Sequence, residues 1–600
     1  MIKYRITPLS ISEHLFAVSM VVSAGDRHTV TLSLPSWIPG SYMIRDFAKN
    51  LIGLNCANKE VIVTQLDKQT WRVQQSRGLP LGDIQLDYQV FAFDLSVRAA
   101  YINDEYAFFN GTSVFLKVVE FEHTEHHVCV DKSHLKSWEK LANAIEIITS
   151  MPCVDNSNTT AQTRHFLCSD YLTMVDHPVV IGQFTRASFE LDGVTFHAVF
   201  TGNHKLNLAR ICKDLQPICK HHISLFSEIP VSEYWFITLL CKNGFGGLEH
   251  TASTILQYAY DALPKPNEND GMEEGYRDFL SLCSHELFHT WHVKRNKPDV
   301  YLSPDLSQEV YSPQLWIYEG FTSLYDDLTL ARTGLITPEE YCKIVGQNIT
   351  RLLRNPGRHK QSIEESSFNA WTKFYKQDAN SVNHIVSYYL KGGIAALAID
   401  IKIRQLSQQQ YNLDHVMQAI WNQFGSKNIG TPDEVIKTIC QDTLGLDLSA
   451  FIDLTSKTTQ DLPLSELLQT IGLSMHLRSR TGNDDKGGIE SSGESTRDFG
   501  ALLNDQTIGC KVTQILDGRA ASLAGLQLND HIIALNGLEV NAKSLMRELN
   551  TMDVGTEAQI HILRDGRLLC LSLPVIEAEK DTCYLSINDQ SMFAKWLGIA

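Results

Sequence analysis

The chain has 600 residues, 52 basic and 69 acidic, for a net charge of −17 at pH 7. An acidic balance excludes the sequence-independent grip on nucleic acid, which needs Lys and Arg to displace phosphate counterions. A hydrophobic fraction of 43% and a charged fraction of 20% fit a globular protein, and the length exceeds what one hydrophobic core serves, so several domains are expected. No stretch approaches the roughly 18 unbroken apolar residues of a membrane span. The 13 cysteines are scattered and form no C-x-x-C pair. Residues 1–22 alternate like a strand and lack the pattern of a secretory signal. A reducing, cytoplasmic setting is the expectation.

Along the sequence, the first two hundred residues read as β-rich. Val30, Leu32 and Leu34 alternate with Thr29, Thr31 and Ser33, the period of a half-buried strand, before Pro35, Pro39 and Gly40 break it. Further strands are predicted at 90–93, 113–119 and 196–201. From about Lys205 the period becomes helical, with helices predicted at 206–226, 276–294, 315–333, 338–353, 384–406 and 413–424. The stretch 262–274, with two prolines and several polar residues, should be a loop. Residues 478–497, rich in Gly, Ser, Asp and Glu, read as a mobile loop or linker. Beyond it, short strands alternate with turns, and Asn536-Gly537 and Asp565-Gly566 are hairpin signals. The reading is a multidomain α+β protein: a β-sandwich-like domain at 1–204, a mainly helical domain at 205–464 and a small β-rich domain with a tail at 465–600.

The chemistry concentrates in His285-Glu286-Leu287-Phe288-His289. Histidines at i and i+4 share one helical face and can bind one ion, and Glu286 beside them can hold the attacking water as general base. A pentapeptide is short enough for chance to supply. However, Phe279, Leu280, Leu282, Leu287, Phe288 and Trp291 make this a largely buried helix, in which polar groups need partners. A catalytic zinc takes three protein ligands. Glu319, alone in the apolar run Trp316-Ile317-Tyr318-Glu319-Gly320-Phe321-Thr322, is the candidate third. Asp326 and Asp327 follow two turns later, and either could orient a ligating histidine; Asp327 is the choice. His/His/Glu suits one Zn²⁺ ion. Glu122-His123-Thr124-Glu125-His126-His127 has ligand chemistry too, but adjacent histidines on a strand face opposite ways, and His221-His222 is read as equally inert.

With these residues in place, the chain resembles the glycyl aminopeptidase family of gluzincin zinc peptidases. The likeness rests on the run from His285 to Trp291 with Val293-Lys294-Arg295, and on Glu319-Gly320-Phe321-Thr322. Upstream it rests on Leu34-Pro35, Trp37, Pro39-Gly40-Ser41-Tyr42, Leu95-Ser96-Val97-Arg98 and Phe109-Asn110-Gly111-Thr112. It implies a thermolysin-like fold for the helical domain, His285, His289 and Glu319 as zinc ligands and Glu286 as base. The interval from His289 to Glu319, residues 290–318, is longer than in the related aminopeptidase N.

Gly246-Gly247-Leu248-Glu249-His250 is similar to the exopeptidase motif of those relatives. The resemblance implies that Gly246 and Gly247 line the substrate backbone and that Glu249 binds the free α-amino group; His250 stands where the motif has Asn. Taken alone the pentapeptide is a Gly-rich turn. Tyr388-Tyr389-Leu390-Lys391-Gly392 resembles the segment of the transition-state tyrosine, and alignment on Lys391-Gly392 selects Tyr389. Residues 510–516 and 518–537 resemble a PDZ domain, which captures extended peptides or free carboxyl termini at a sheet edge, here at 499–503. The implied activity is removal of a small first residue, Gly or Ala, from peptides with a free N-terminus. A PDZ-assisted endopeptidase and a non-catalytic peptide-binding adaptor remain open alternatives.

Overall fold

In a computed structural model the structure describes residues 1–133, 145–154, 162–202, 204–268 and 271–599. The protein divides into two compact units, Met1–Val310 with Ile420–Thr431, and Tyr311–Ala419 with Pro432–Ala600. It is a multidomain α+β protein, β-rich at the N-terminus, helical in the middle and ending in a small β domain.

In the first unit, Leu15–Ser23 buries every second residue, the pattern expected of a strand with one face on a core. It lies in a six-stranded sheet, with a four-stranded sheet built on Thr29–Ser33 and another on Tyr106–Phe109. The strand expected at 113–119 is mostly something else. Gly111–Val114 is a helical turn, and only Lys117–Val118 pairs as a strand. Gly111 abuts the Val175 backbone, where a Cβ would lie 2.8 Å from Cα, so tertiary contact outweighs the local β pattern.

The sheet that positions the site has five strands in the order Phe184–Leu191, Val194–Thr201, Glu233–Cys241, Ser253–Ala259, Phe245–Glu249. Helix Leu208–Phe226 makes the crossover between the parallel strands Val194–Thr201 and Glu233–Cys241. Phe245–Glu249 pairs antiparallel to Ser253–Ala259 and forms the edge. Phe108, Val180, Ile237, Leu239, Leu248 and Ile255 share one apolar cluster, so this edge is tied to the N-terminal sheets. The predicted loop 262–274 has no regular element until Glu274; its residues 269–270 lie outside the described residues.

The second unit holds helices Pro338–Leu353, opened by a Thr337/Glu340 capping box, and Tyr388–Leu406. Strands Ala501–Asp505, Cys510–Ile515, His531–Leu535, Glu557–Arg564 and Arg567–Pro574 form the C-terminal sheet in that order. Both predicted hairpins form: Asn536, Gly537, Asp565 and Gly566 all take positive φ, as two-residue turns of this hand require. Residues 479–496 carry no regular element, but they are pinned. Arg478 pairs with Asp485 at 2.6 Å and Arg480 with Asp581 at 2.7 Å. The apolar tail folds as helix Gln590–Leu597, burying Phe593, Trp596 and Leu597, with Trp596 Nε1 donating to Asp400 at 2.7 Å. Among the described residues no helix is long and apolar enough to cross a membrane.

Candidate functional site

Helix Glu274–Phe288 presents its polar motif on an otherwise buried face. The His285 and His289 rings are 4.7 Å apart, centroid to centroid, as the i, i+4 spacing requires. The helix stops six residues before the predicted end. His289 still donates its backbone N–H to His285 at 3.3 Å, but the backbone then turns, and Val293 takes φ 128°, a backbone region that branched side chains rarely enter. This turn has a use. It brings the His292 carbonyl to 2.7 Å from His289 Nδ1. A carbonyl only accepts, so Nδ1 carries the proton and Nε2 is left as a bare donor for a metal. The backbone group that orients His289 has no side-chain signature in the sequence.

Glu286 is buried, and its immediate neighbours belong to the edge strand and the sheet behind it. Thr254 Oγ1 lies 3.4 Å from one carboxylate oxygen, and Tyr234 donates to the Glu286 carbonyl at 3.2 Å. Gly247 faces the carboxylate so closely that a Cβ there would lie 1.9 Å from Glu286 Oε1. The glycine of the exopeptidase-like motif is thus the residue that leaves room for the Glu286 carboxylate. Arg98 Nη2 donates to the Gly247 carbonyl at 3.1 Å, which gives the upstream Leu95–Arg98 motif its place.

Glu249, at the end of the same strand, is 4% exposed. Its carboxylate occupies the space where a Cβ of Gly40 would sit, 2.4 Å away, and Gly40 holds φ +90°, open to glycine alone at no strain. Gly246 lies one residue before Gly247, on the sheet edge. His250 is withdrawn from the cleft role: its Nδ1 lies 3.3 Å from Asp176, which also accepts from Thr251 N at 3.0 Å and pairs with Lys294 at 2.6 Å.

In the second unit, the helix predicted at 315–333 begins as a π-helical turn, Trp316–Gly320, before the α-helix Phe321–Arg332. Such turns mark functional positions, and this one carries Glu319, 2% exposed. Gly320 and Gly392 press backbone to backbone, a Cβ on Gly320 lying 2.6 Å from Gly392 Cα. The contact seats Glu319 near the start of helix Tyr388–Leu406, where Tyr389 hydrogen-bonds Tyr375 at 3.1 Å, oxygen to oxygen. Burial first, then Glu319 and Tyr375, hold the Tyr389 phenol well above its usual pKa, so it stays a proton donor. Tyr388 is 0% exposed, whereas Tyr389 is partly accessible. Asp327 lies in helix Phe321–Arg332, close enough to Tyr341 to raise its phenol pKa after burial has done most of the work.

The other histidine clusters are structural. His126 Nδ1 bonds the Thr124 carbonyl at 2.6 Å, His127 stacks on His165, and His222 Nε2 lies 3.0 Å from Ser284 Oγ. Sequence pattern gives no sign of Asp176, Lys294 and Lys297 acting together, because only the turn after His289 assembles their polar cluster.

Comparison with known proteins adds three family matches: residues 278–395 to the M61 glycyl aminopeptidase domain, 3–183 to the peptidase M61 N-terminal domain and 471–575 to the PDZ domain. A crystal structure of an aminopeptidase N family protein from Idiomarina loihiensis is 35% identical over the full length of both proteins, with a TM-score of 0.93. An M1 zinc metallopeptidase from Deinococcus radiodurans covers 77% of the present sequence at 11% identity and a TM-score of 0.46. Among curated proteins, the periplasmic serine endoprotease DegP of Escherichia coli is 28% identical over 94 residues. The matches span less than a fifth of the length of the curated relatives, 16% of a probable periplasmic serine endoprotease, DegP-like, from Chlamydia pneumoniae and 19% of the Escherichia coli protein.

Proposed function

Because the chain belongs to the M61 glycyl aminopeptidase family of zinc metallopeptidases, we propose that it removes the first residue of peptides with a free N-terminus. In this reading His285, His289 and Glu319 hold one zinc ion; they are the one His/Cys/Asp/Glu group among the described residues suited to a metal. Zinc supplies Lewis acidity, which activates water and polarises a carbonyl. Glu286 takes the proton of the attacking water and returns it to the leaving amine. The Tyr389 phenol donates to the oxygen that gains charge. Asp327 is the candidate to orient a ligating histidine.

The observation that carries the exopeptidase reading is Glu249. It is an almost fully buried carboxylate at the end of the strand whose Gly247 packs on the base. Among the described residues it has no ion pair or side-chain hydrogen bond, Lys297 acting on it only from beyond contact distance, and a carboxylate so buried is stabilised by a cation in direct contact. An α-amino group supplies it, and fixing that group beside the base sets the cut after one residue. Gly246 and Gly247 lie on the edge strand of the sheet, the place for a substrate backbone to pair. The glycyl aminopeptidase family description supports a preference for Gly, which this reading extends to the similarly small Ala. We also propose that the PDZ edge strand Ala501–Asp505 adds a peptide strand beside helix Ala542–Asn550. Thirteen free cysteines support a reducing, cytoplasmic setting.

The test is a turnover screen of aminoacyl p-nitroanilides across first residues, with and without chelator. Turnover that chelator abolishes and one equivalent of zinc restores is expected. Turnover indifferent to chelator contradicts the reading.

A further inference from the structure

The turn after His289 opens onto a cavity of about 400 Å³ wholly within the first unit, inside the range of small-ligand pockets, about 300–1,000 Å³. Its lining includes Glu249 and Gly40, the cations Lys294, Arg295 and Lys297, and the rings of Trp37 and Tyr301. The three cations are not equivalent. Lys294 is matched by Asp176, 2.6 Å away. Asp176 also accepts from Thr251 N and lies beside His250, so its oxygens are taken. Arg295 and Lys297 have no ion pair or side-chain hydrogen bond among the described residues. His177 adds no charge, because burial pushes it down to about 4.

Against Asp176 and Glu249 the half-buried Lys294, Arg295 and Lys297 leave one cation in excess, and two once an α-amino group takes Glu249, an imbalance that a second anion removes. Burial first, then Lys294 and Arg295, push the Lys297 ammonium down to about 8 against the pull of Asp176 and Glu249. The same cavity holds the carboxylate read above as the amino-group anchor. A ligand that satisfies Glu249 and the excess cations together carries an ammonium and, a few bonds away, a carboxylate.

We propose that this cavity is the side-chain subsite for an acidic first residue, Asp or Glu, whose carboxylate is held by Arg295 and Lys297 while Glu249 holds the α-amino group. The inference rests on the amino-anchor reading of Glu249 and widens the accepted first residues beyond small ones. Glycine or alanine leaves these cations to water; glutamate reaches them and glutamine, its neutral isostere, does not satisfy them.

The experiment compares kcat/KM of the zinc-loaded enzyme on Glu-, Gln- and Ala-p-nitroanilide. Glu is expected to exceed Gln by about tenfold, the effect of one charge-assisted hydrogen bond. In Lys297→Met, which keeps the length of the stem, the Glu:Gln ratio should fall to within about threefold. A second measurement needs no variant: free L-glutamate should inhibit Ala-p-nitroanilide hydrolysis about ten times more strongly than L-glutamine. Equal rates and equal inhibition, with Ala-p-nitroanilide well hydrolysed, overturn the acidic subsite while leaving the amino anchor standing. Equal hydrolysis of N-acetylated substrates overturns the anchor, and the subsite falls with it.

Discussion

Two pairs of glycines each sit where a Cβ would come within 3 Å of a neighbour, and they do opposite things. In the first unit, Gly247 and Gly40 make room for the carboxylates of Glu286 and Glu249. In the second, Gly320 and Gly392 make room for each other's backbone. The first pair guards flexible side-chain ends, which can move aside; the second guards two rigid helices, which cannot. A methyl at Gly247 should therefore displace chemistry, a methyl at Gly40 should also strain the backbone at its φ of +90°, and a methyl at the second pair should strain the fold by contact alone. A glycine in a site motif is thus explained by what its missing Cβ would strike.

Several measurements can break or sharpen that contrast. The largest effect is expected from Glu286→Gln, a fall in kcat of about 10³-fold with zinc content unchanged, read by steady-state kinetics and metal analysis. Tyr389→Phe comes next, lowering kcat by about 10²-fold with little change in KM, as loss of one oxyanion donor does. Gly247→Ala should cost about 10- to 100-fold in kcat by pushing the base off position while thermal stability hardly changes. Combined with Glu286→Gln it should add little, since the displaced group is already inactive; full additivity would break the comparison. Gly392→Ala should instead lower unfolding stability by about 1–3 kcal/mol in urea titration, because the new Cβ would lie 2.9 Å from Gly320 Cα. A Gly392→Ala protein as stable as the wild type would remove the distinction between the two pairs.

Much of this was legible in the sequence, and the reasons differ by residue. His285 and His289 declared themselves by spacing and by the apolar residues around them. Asn536-Gly537 and Asp565-Gly566 declared hairpins because so few residues accept those turns. Position 113–119 misled, since its β pattern yields to the contact of Gly111 with Val175. The helix expected to reach 294 also misled. The residues from Thr290 to Val293 carry no breaker, yet the backbone turns there and Val293 adopts a strained φ. That turn supplies the carbonyl for His289 and gathers Lys294, Arg295 and Lys297, so the orienting contact and the cationic cavity were beyond reach of periodicity. Gly40, read first as a strand breaker, and Arg98 were linked to the site only as pieces of a resemblance; geometry sets them against Glu249 and Gly247.

The central claim is that a buried carboxylate beside the catalytic base reads a free amino group. The most direct measurement is the hydrolysis of one alanyl peptide in free and N-acetylated forms by the zinc-loaded enzyme. The free peptide should be cut after its first residue, and acetylation should slow cleavage by about 100-fold or more, since it leaves Glu249 buried against a neutral amide. Undiminished cleavage of the acetylated peptide would contradict the account.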